Sequence, residues 1–118
     1  MHELAVTENI LEIALRHAST ADARKITDIH VVIGDLSSII DDSVSFYWDI
    51  VAKGTIAEGA QIHFKRLRPL FHCQECDHQF YPETDVYTCP ACHGQRIRII
   101  QGNEFFLESI QIESASNA

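Results

Sequence analysis

Basic residues are scarce in this chain: nine Lys and Arg stand against seventeen Asp and Glu, for a formal net charge of −8. Such a balance repels DNA and anionic membranes unless a local basic patch overrides it. The one candidate patch, Lys65-Arg66-Leu67-Arg68, falls at the end of an expected strand and reads as a solvated face. No apolar run approaches the ~20 residues that a membrane-spanning helix needs. The start, Met1-His2-Glu3-Leu4, lacks the basic and apolar segments of a secretory signal. A cytoplasmic protein is therefore expected, with neither nucleic acid nor membrane among its partners. Internal repeats and low-complexity tracts are missing too, apart from two similar cysteine pairs. Proline and cysteine are confined to one place. Residues 69–102 hold all three prolines, all four cysteines and three of the seven histidines.

What is present is enough for a packed core. The chain has 118 residues, 46% of them hydrophobic, which favours one compact domain with at most a small insertion. Residues 3–18 read as a helix, with Leu4, Leu11, Leu15 and Ala18 on one face and Val6, Ile10 and Ile13 widening it. A strand is expected over 25–33, where Ile29, Val31 and Ile33 share parity and Gly34-Asp35 ends the run. A second helix follows at about 42–53. Asp41 is its expected N-cap, Gly54 its stop, and Val44, Tyr47, Trp48 and Val51 its apolar stripe. Residues 61–67 alternate cleanly, with Ile62 and Phe64 inward. The last strand is expected near 104–112, with Phe106, Ile110 and Ile112 inward and Glu108 breaking that face. The tail from Ser114 to Ala118 is expected to fray.

The fold class that follows is α+β: two helices packed on a small mixed three-stranded sheet, with an inserted zinc-ribbon domain. Residues 1–68 and 103–118 form the helix–sheet domain, and residues 69–102 the ribbon. A segment as short as the ribbon buries too little apolar surface to fold without metal or cross-links.

The cysteines supply the reason to expect metal. Cys73-Gln-Glu-Cys76 and Cys89-Pro-Ala-Cys92 are separated by twelve residues. Each C-x-x-C turns tightly enough to present two sulfurs to one cation, and two such turns complete a tetrahedral shell suited to Zn(II). Four sulfurs leave no open position, so the site is structural. Arg68–His72 and Arg96–Ile100 are expected to pair as outer strands. An iron or iron–sulfur site would use the same ligands, and zinc is favoured because this knuckle spacing is common for structural zinc. Cys92-His93 also completes a C-x-x-C-H haem-attachment motif, but that leaves Cys73 and Cys76 without a role. A thioredoxin-like dithiol would need one C-x-x-C at a strand–helix junction, not two facing knuckles. His78 and His93 flank the cysteines and are auxiliary candidates, as solvated residues, as donors to sulfur, or as ligands that replace a thiolate.

The other chemistry lies at the start. His2 is bulky enough to protect Met1 from removal, leaving a free α-amine with a pKa near ~7.7–8 that a metal can deprotonate. The Met1 amine, the backbone nitrogen of His2 and the His2 Nδ1 form fused chelate rings, and the backbone nitrogen of Glu3 closes a planar set of four. Such a set suits Ni(II) or Cu(II) and disfavours Zn(II).

Taken in order, Met1-His2-Glu3-Leu4 opening a helix, Ile33-Gly34 ending a strand, Ala57-Glu58-Gly59-Ala60 before the next strand, and Gln101-Gly102-Asn103-Glu104 after two C-x-x-C knuckles resemble the HypA/HybF family. The resemblance implies a nickel metallochaperone with no catalysis of its own. It implies Ni(II) as cargo at Met1-His2-Glu3 and structural Zn(II) at Cys73, Cys76, Cys89 and Cys92. The implied partners are an accessory GTPase of the HypB type and the hydrogenase large subunit, with urease accessory proteins for some members, acting as monomer or homodimer.

The remaining polar groups receive plainer readings. His17 sits near a helix end, where its cationic form suits the dipole. His30 and His63 point off their strands' apolar faces toward solvent or a partner, and His72 adjoins Cys73. Two rival functions stay open. A nucleic-acid-binding zinc ribbon would show a basic face, whereas Arg96 and Arg98 here meet Glu75, Asp77, Glu83 and Asp85. A metal-dependent hydrolase would need an open metal position beside a general base, and neither pattern appears.

Overall fold

The computed structural model describes residues 3–83 and 87–114. The elements run α1 (Glu3–Thr20), β1 (Ala23–Gly34), α2 (Asp41–Val51), β2 (Gln61–Leu67), β3 (Leu70–Cys73), β4 (Gln79–Phe80), β5 (Ile97–Gln101) and β6 (Phe105–Ser114). Two three-stranded sheets result, ordered β2-β1-β6 and β4-β3-β5. The architecture is the expected α+β one, with two helices, a small mixed sheet and a second sheet beside the clustered cysteines. The chain divides into two compact units, one drawn from residues 1–32, 38–65 and 106–118, the other from residues 33–37 and 66–105. No helix among the described residues is long and apolar enough to cross a membrane.

In the first unit, α1 buries Thr7, Ile10, Leu11, Ala14 and Ala18. These positions follow helical spacing, but the stripe is rotated from the expected one: Leu4 is 41% exposed. The buried side combines Ile10 and Leu11 with the small Ala14 and Ala18, and α1 and α2 pack against each other. Thr7, fully buried, donates its hydroxyl to the Glu3 carbonyl at 2.6 Å, so no polar atom is stranded there. On α2, Val44 and Trp48 are buried one turn apart. The N-cap is Ile40 in extended conformation, without a side-chain cap. Asp41 is instead the first helical residue, and with Asp42 places negative charge where the helix dipole favours it. Ala52 ends the helix, and Gly54 follows at φ +81°.

The central strand β1 contributes Ile26, Ile29, Val31 and Ile33, all fully buried. β2 occupies the expected residues and alternates as expected, with Ile62 and Phe64 half-buried between exposed neighbours. β6 departs from expectation. Phe105 and Leu107 lie on the more covered side, as do Ile110 and Ile112, while Phe106 is 45% exposed. The alternation slips by one residue at Glu108-Ser109, and so the expected inward role of Phe106 fails.

The second unit has a core of Phe71, Cys73, Phe80 and Cys89, with Ile97 packed against it. The Phe71 and Phe80 rings meet edge to face, 5.8 Å between centroids. β3 pairs antiparallel with β4 and with β5, setting Cys73 opposite Ile97 and His72 opposite Arg98. Residues 33–37 join this unit through backbone hydrogen bonds from Gly34 to Glu104 (2.8 Å), Asp35 to Leu67 (2.9 Å) and Leu36 to Gly102 (2.6 Å). The approach is so close that a Cβ on Gly34 would stand 2.1 Å from the Gly102 carbonyl.

Candidate metal centre

Both cysteine knuckles are built the same way. In the first, the Asp77 N–H donates to the Cys73 carbonyl at 2.9 Å, and the Cys73 N–H donates to the His78 carbonyl at 2.9 Å. In the second, the His93 N–H donates to the Cys89 carbonyl at 2.8 Å, and the Cys89 N–H donates to the Gly94 carbonyl at 3.0 Å. The fifth residue of each turn is left-handed: Asp77 at φ +63° and His93 at φ +61°. Asp and His are among the non-glycine residues that tolerate this region best. His93 thus occupies the turn position that Asp77 occupies in the other knuckle, while His78 is one residue further along and stacks on Phe80 at 6.0 Å.

The two turns bring four sulfurs together. Cys73 Sγ lies 3.6 Å from Cys92 Sγ, and Cys76 Sγ 3.6 Å from Cys89 Sγ. All four lie within 4.8 Å of one another, and among the described residues they are the sole group of three or more ligand-capable side chains so gathered. None is in a disulfide. Zn–S bonds of ~2.3 Å in a tetrahedron would space the sulfurs ~3.8 Å apart, close to the 3.6 Å of these two pairs. Cys73 and Cys89 are buried, whereas Cys76 and Cys92 are exposed. The site therefore has an inner edge that forms part of the core and an outer edge open to solvent.

The ionisation of the thiols agrees with a cation site. Burial raises the pKa of Cys89, but N–H donors from Cys92 and Ala91 and the neighbouring thiols outweigh it and leave the pKa at about 7. At Cys92 the Gly94 N–H favours the thiolate, yet contacts with Cys73 and Cys76, together with burial, push its pKa up to about 12. Cys76 is also raised, although the N–H of His78 favours its thiolate. The crowding that resists ionisation at Cys76 and Cys92 is of the kind that a bound cation relieves.

The expected nickel ligands Met1 and His2 lie outside the described residues. His72 places Nε2 3.2 Å from Asp77 Oδ1, while its buried Nδ1 has no hydrogen-bond partner. One constellation went unrecognised in the sequence. His30 on β1 and His63 on β2 stack with centroids 4.7 Å apart and planes 15° from parallel. His63 Nε2 is 2.7 Å from Asp28 Oδ2. The His30-to-Asp28 spacing of two is visible in the sequence, but the strand register that adds His63 is not.

Comparison with known proteins identifies the family. Residues 1–112 match the profile described as hydrogenase/urease nickel incorporation, metallochaperone, hypA. The hydrogenase maturation factor HypA of Dehalococcoides mccartyi is 41% identical over 118 residues, spanning 100% of this chain and 99% of that protein. HybF of Escherichia coli K12, also a hydrogenase maturation factor, is 32% identical over 113 residues, covering 96% of this chain and 100% of that protein. The solution structure of the Ni metallochaperone HypA from Helicobacter pylori superposes with a TM-score of 0.71 at 25% identity, over 97% of this chain and 99% of that one. On sequence and fold together, this chain belongs to the HypA family of hydrogenase/urease nickel-incorporation metallochaperones.

Proposed function

We propose that the chain carries Ni(II) and delivers it for maturation of [NiFe]-hydrogenase, and that a structural Zn(II) on Cys73, Cys76, Cys89 and Cys92 holds the ribbon folded. The observation that carries this reading is the family match, which runs from residue 1 through both cysteine knuckles. Nickel is taken by the Met1 amine, the backbone nitrogens of His2 and Glu3, and the His2 Nδ1. Strong in-plane nitrogen donors suit a planar Ni(II) ion, and a chelate at a chain end is open to a partner's competing ligands. Transfer is then ligand exchange, without a bond-making catalytic step in this chain. Four sulfurs within 4.8 Å of one another suffice to fill a zinc shell and leave it no open position, so zinc stays while nickel moves.

The partners are nickel-handling maturation proteins: an accessory GTPase, the hydrogenase large subunit and, where urease is present, its accessory proteins. Residues 1–68 and 103–118 act as the nickel-binding domain. Residues 69–102 act as a zinc-dependent ribbon. The test is a His2→Ala variant assayed for bound metal and for restoring hydrogenase activity in cells that lack their own copy of the gene. Zinc content and helical signal remain unchanged, while stoichiometric nickel and hydrogenase activity are lost. A variant that binds nickel normally and restores the hydrogenase rules the reading out.

A further inference from the structure

Neither the zinc cage nor the N-terminal chelate uses the pair of imidazoles on the first unit's sheet. His30 and His63 come from adjacent strands and stack with centroids 4.7 Å apart. His63 is fixed from one side, its Nε2 lying 2.7 Å from Asp28 Oδ2. The Asp28 carboxyl is held below its ordinary value, chiefly by that hydrogen bond, so it is ionised wherever imidazole is neutral. An ionised carboxylate only accepts, and the proton of neutral His63 therefore sits on Nε2. That leaves Nδ1 with its lone pair free. A carboxylate holding one nitrogen of an imidazole while the other nitrogen meets a metal is a recurrent arrangement, because it fixes the tautomer and raises the basicity of the ligand.

We propose that His63, through Nδ1, and His30 form a second site for a first-row divalent ion that favours nitrogen, such as Ni(II), Cu(II) or Zn(II), with Asp28 as the positioning residue behind His63. Imidazole nitrogens bond such ions at ~2.0–2.1 Å, so two of them on one ion lie no more than ~4.2 Å apart. With the rings stacked 4.7 Å apart, the His30 ring has to turn rather than travel to bring a nitrogen to the same ion, His63 keeping its bond to Asp28. The His63 side chain is 44% exposed, so water can complete the coordination shell while Asp28 keeps its hold on Nε2. Lys65, two residues further along β2, is the nearest opposing charge in sequence. It approaches Glu108 at 3.9 Å, which offsets part of its repulsion. With only two protein ligands, the site is weaker than a four-nitrogen chelate and exchanges its ion readily. It suits a transient holding place.

The site does not rest on the N-terminal reading, and its test removes that terminus from consideration. Full-length, zinc-loaded protein with an acetylated N-terminus, which abolishes the free amine, is titrated with Cu(II) and with Ni(II). Ring-proton NMR signals of His30 and His63 broaden first, ahead of those of His17 and His72. His63→Gln and His30→Gln each weaken this binding at least tenfold, and Asp28→Asn weakens it by roughly tenfold. Ring ¹⁵N shifts place the proton of metal-free His63 on Nε2, and Asp28→Asn redistributes it between the two nitrogens, a change that a merely structural role for Asp28 would not produce. Unchanged affinity in the His30→Gln/His63→Gln double variant, or broadening with no preference for these two rings, overturns the proposal. Either result leaves the N-terminal assignment standing.

Discussion

Two sheets of three strands are built into this chain, and what lies in their cores differs sharply. The unit containing β2-β1-β6 buries Trp48, Val44, Ile10, Ile26, Ile29 and Val31, and no cysteine. The unit containing β4-β3-β5 has four residues at its centre, and two of them, Cys73 and Cys89, are sulfurs of the metal cage. Burial of large aliphatic and aromatic side chains contributes about 1.5–3 kcal/mol each, and the first unit has many of them. Phe71 and Phe80 cannot do the same alone for a unit spanning residues 66–105. On the proposed reading, a metal ion on the four sulfurs supplies there the stability that buried area supplies in the first unit. The lesson is one of independence: a perturbation of either core should remain within its own unit.

Metal removal tests this contrast with the largest effect. Binding of structural zinc is worth ~10–16 kcal/mol in small zinc domains, so chelation or Cys76→Ser should unfold the second unit outright. Proteolytic cleavage should then concentrate between residues 66 and 105, while helical signal from α1 and α2 persists. Loss of both together would erase the distinction. Next in size is Trp48→Ala. Removing a side chain that is 1% exposed should cost ~3–5 kcal/mol, seen as a lower denaturation midpoint, with zinc content unchanged. Gly34→Ala should follow, costing on the order of 1–3 kcal/mol, because its new methyl would meet the Gly102 carbonyl. Gly59→Ala has nothing within 4 Å and only its φ of +81° to overcome, so about 1 kcal/mol is expected. Smallest of all should be Arg24→Ala, which loses an exposed ion pair with Glu113. A change below ~1 kcal/mol that vanishes in high salt is expected there.

Much of this was legible before the structure, for identifiable reasons. β2 could be read to the residue because Ile62 and Phe64 alternate with charged and polar neighbours between a glycine-containing turn and a proline. The four-sulfur group followed from spacing, since a C-x-x-C turn leaves its two thiols little choice of direction. β6 was misread because a period-two pattern carries no marker for a one-residue slip, and Phe106 looked as good a core residue as Phe105. The face of α1 was misplaced because Thr7 and Ala14 give no strong apolar signal, while Leu4 gives one and stays exposed. The two-residue strand β4 was too short to show any periodicity. The Asp28–His30–His63 constellation depends on cross-strand register, which neither strand's sequence specifies alone.

The central functional claim concerns the first three residues, and a nickel titration tests it most directly. Zinc-loaded protein beginning at Met1 is compared with the same protein whose Met1 amine is acetylated, both followed by calorimetry and by the visible absorption of planar nickel. The account predicts one tight Ni(II) with a planar signature for the native start. For the acetylated chain it predicts at least tenfold weaker binding without that signature. Equal affinity and an equal planar signature in both would contradict it.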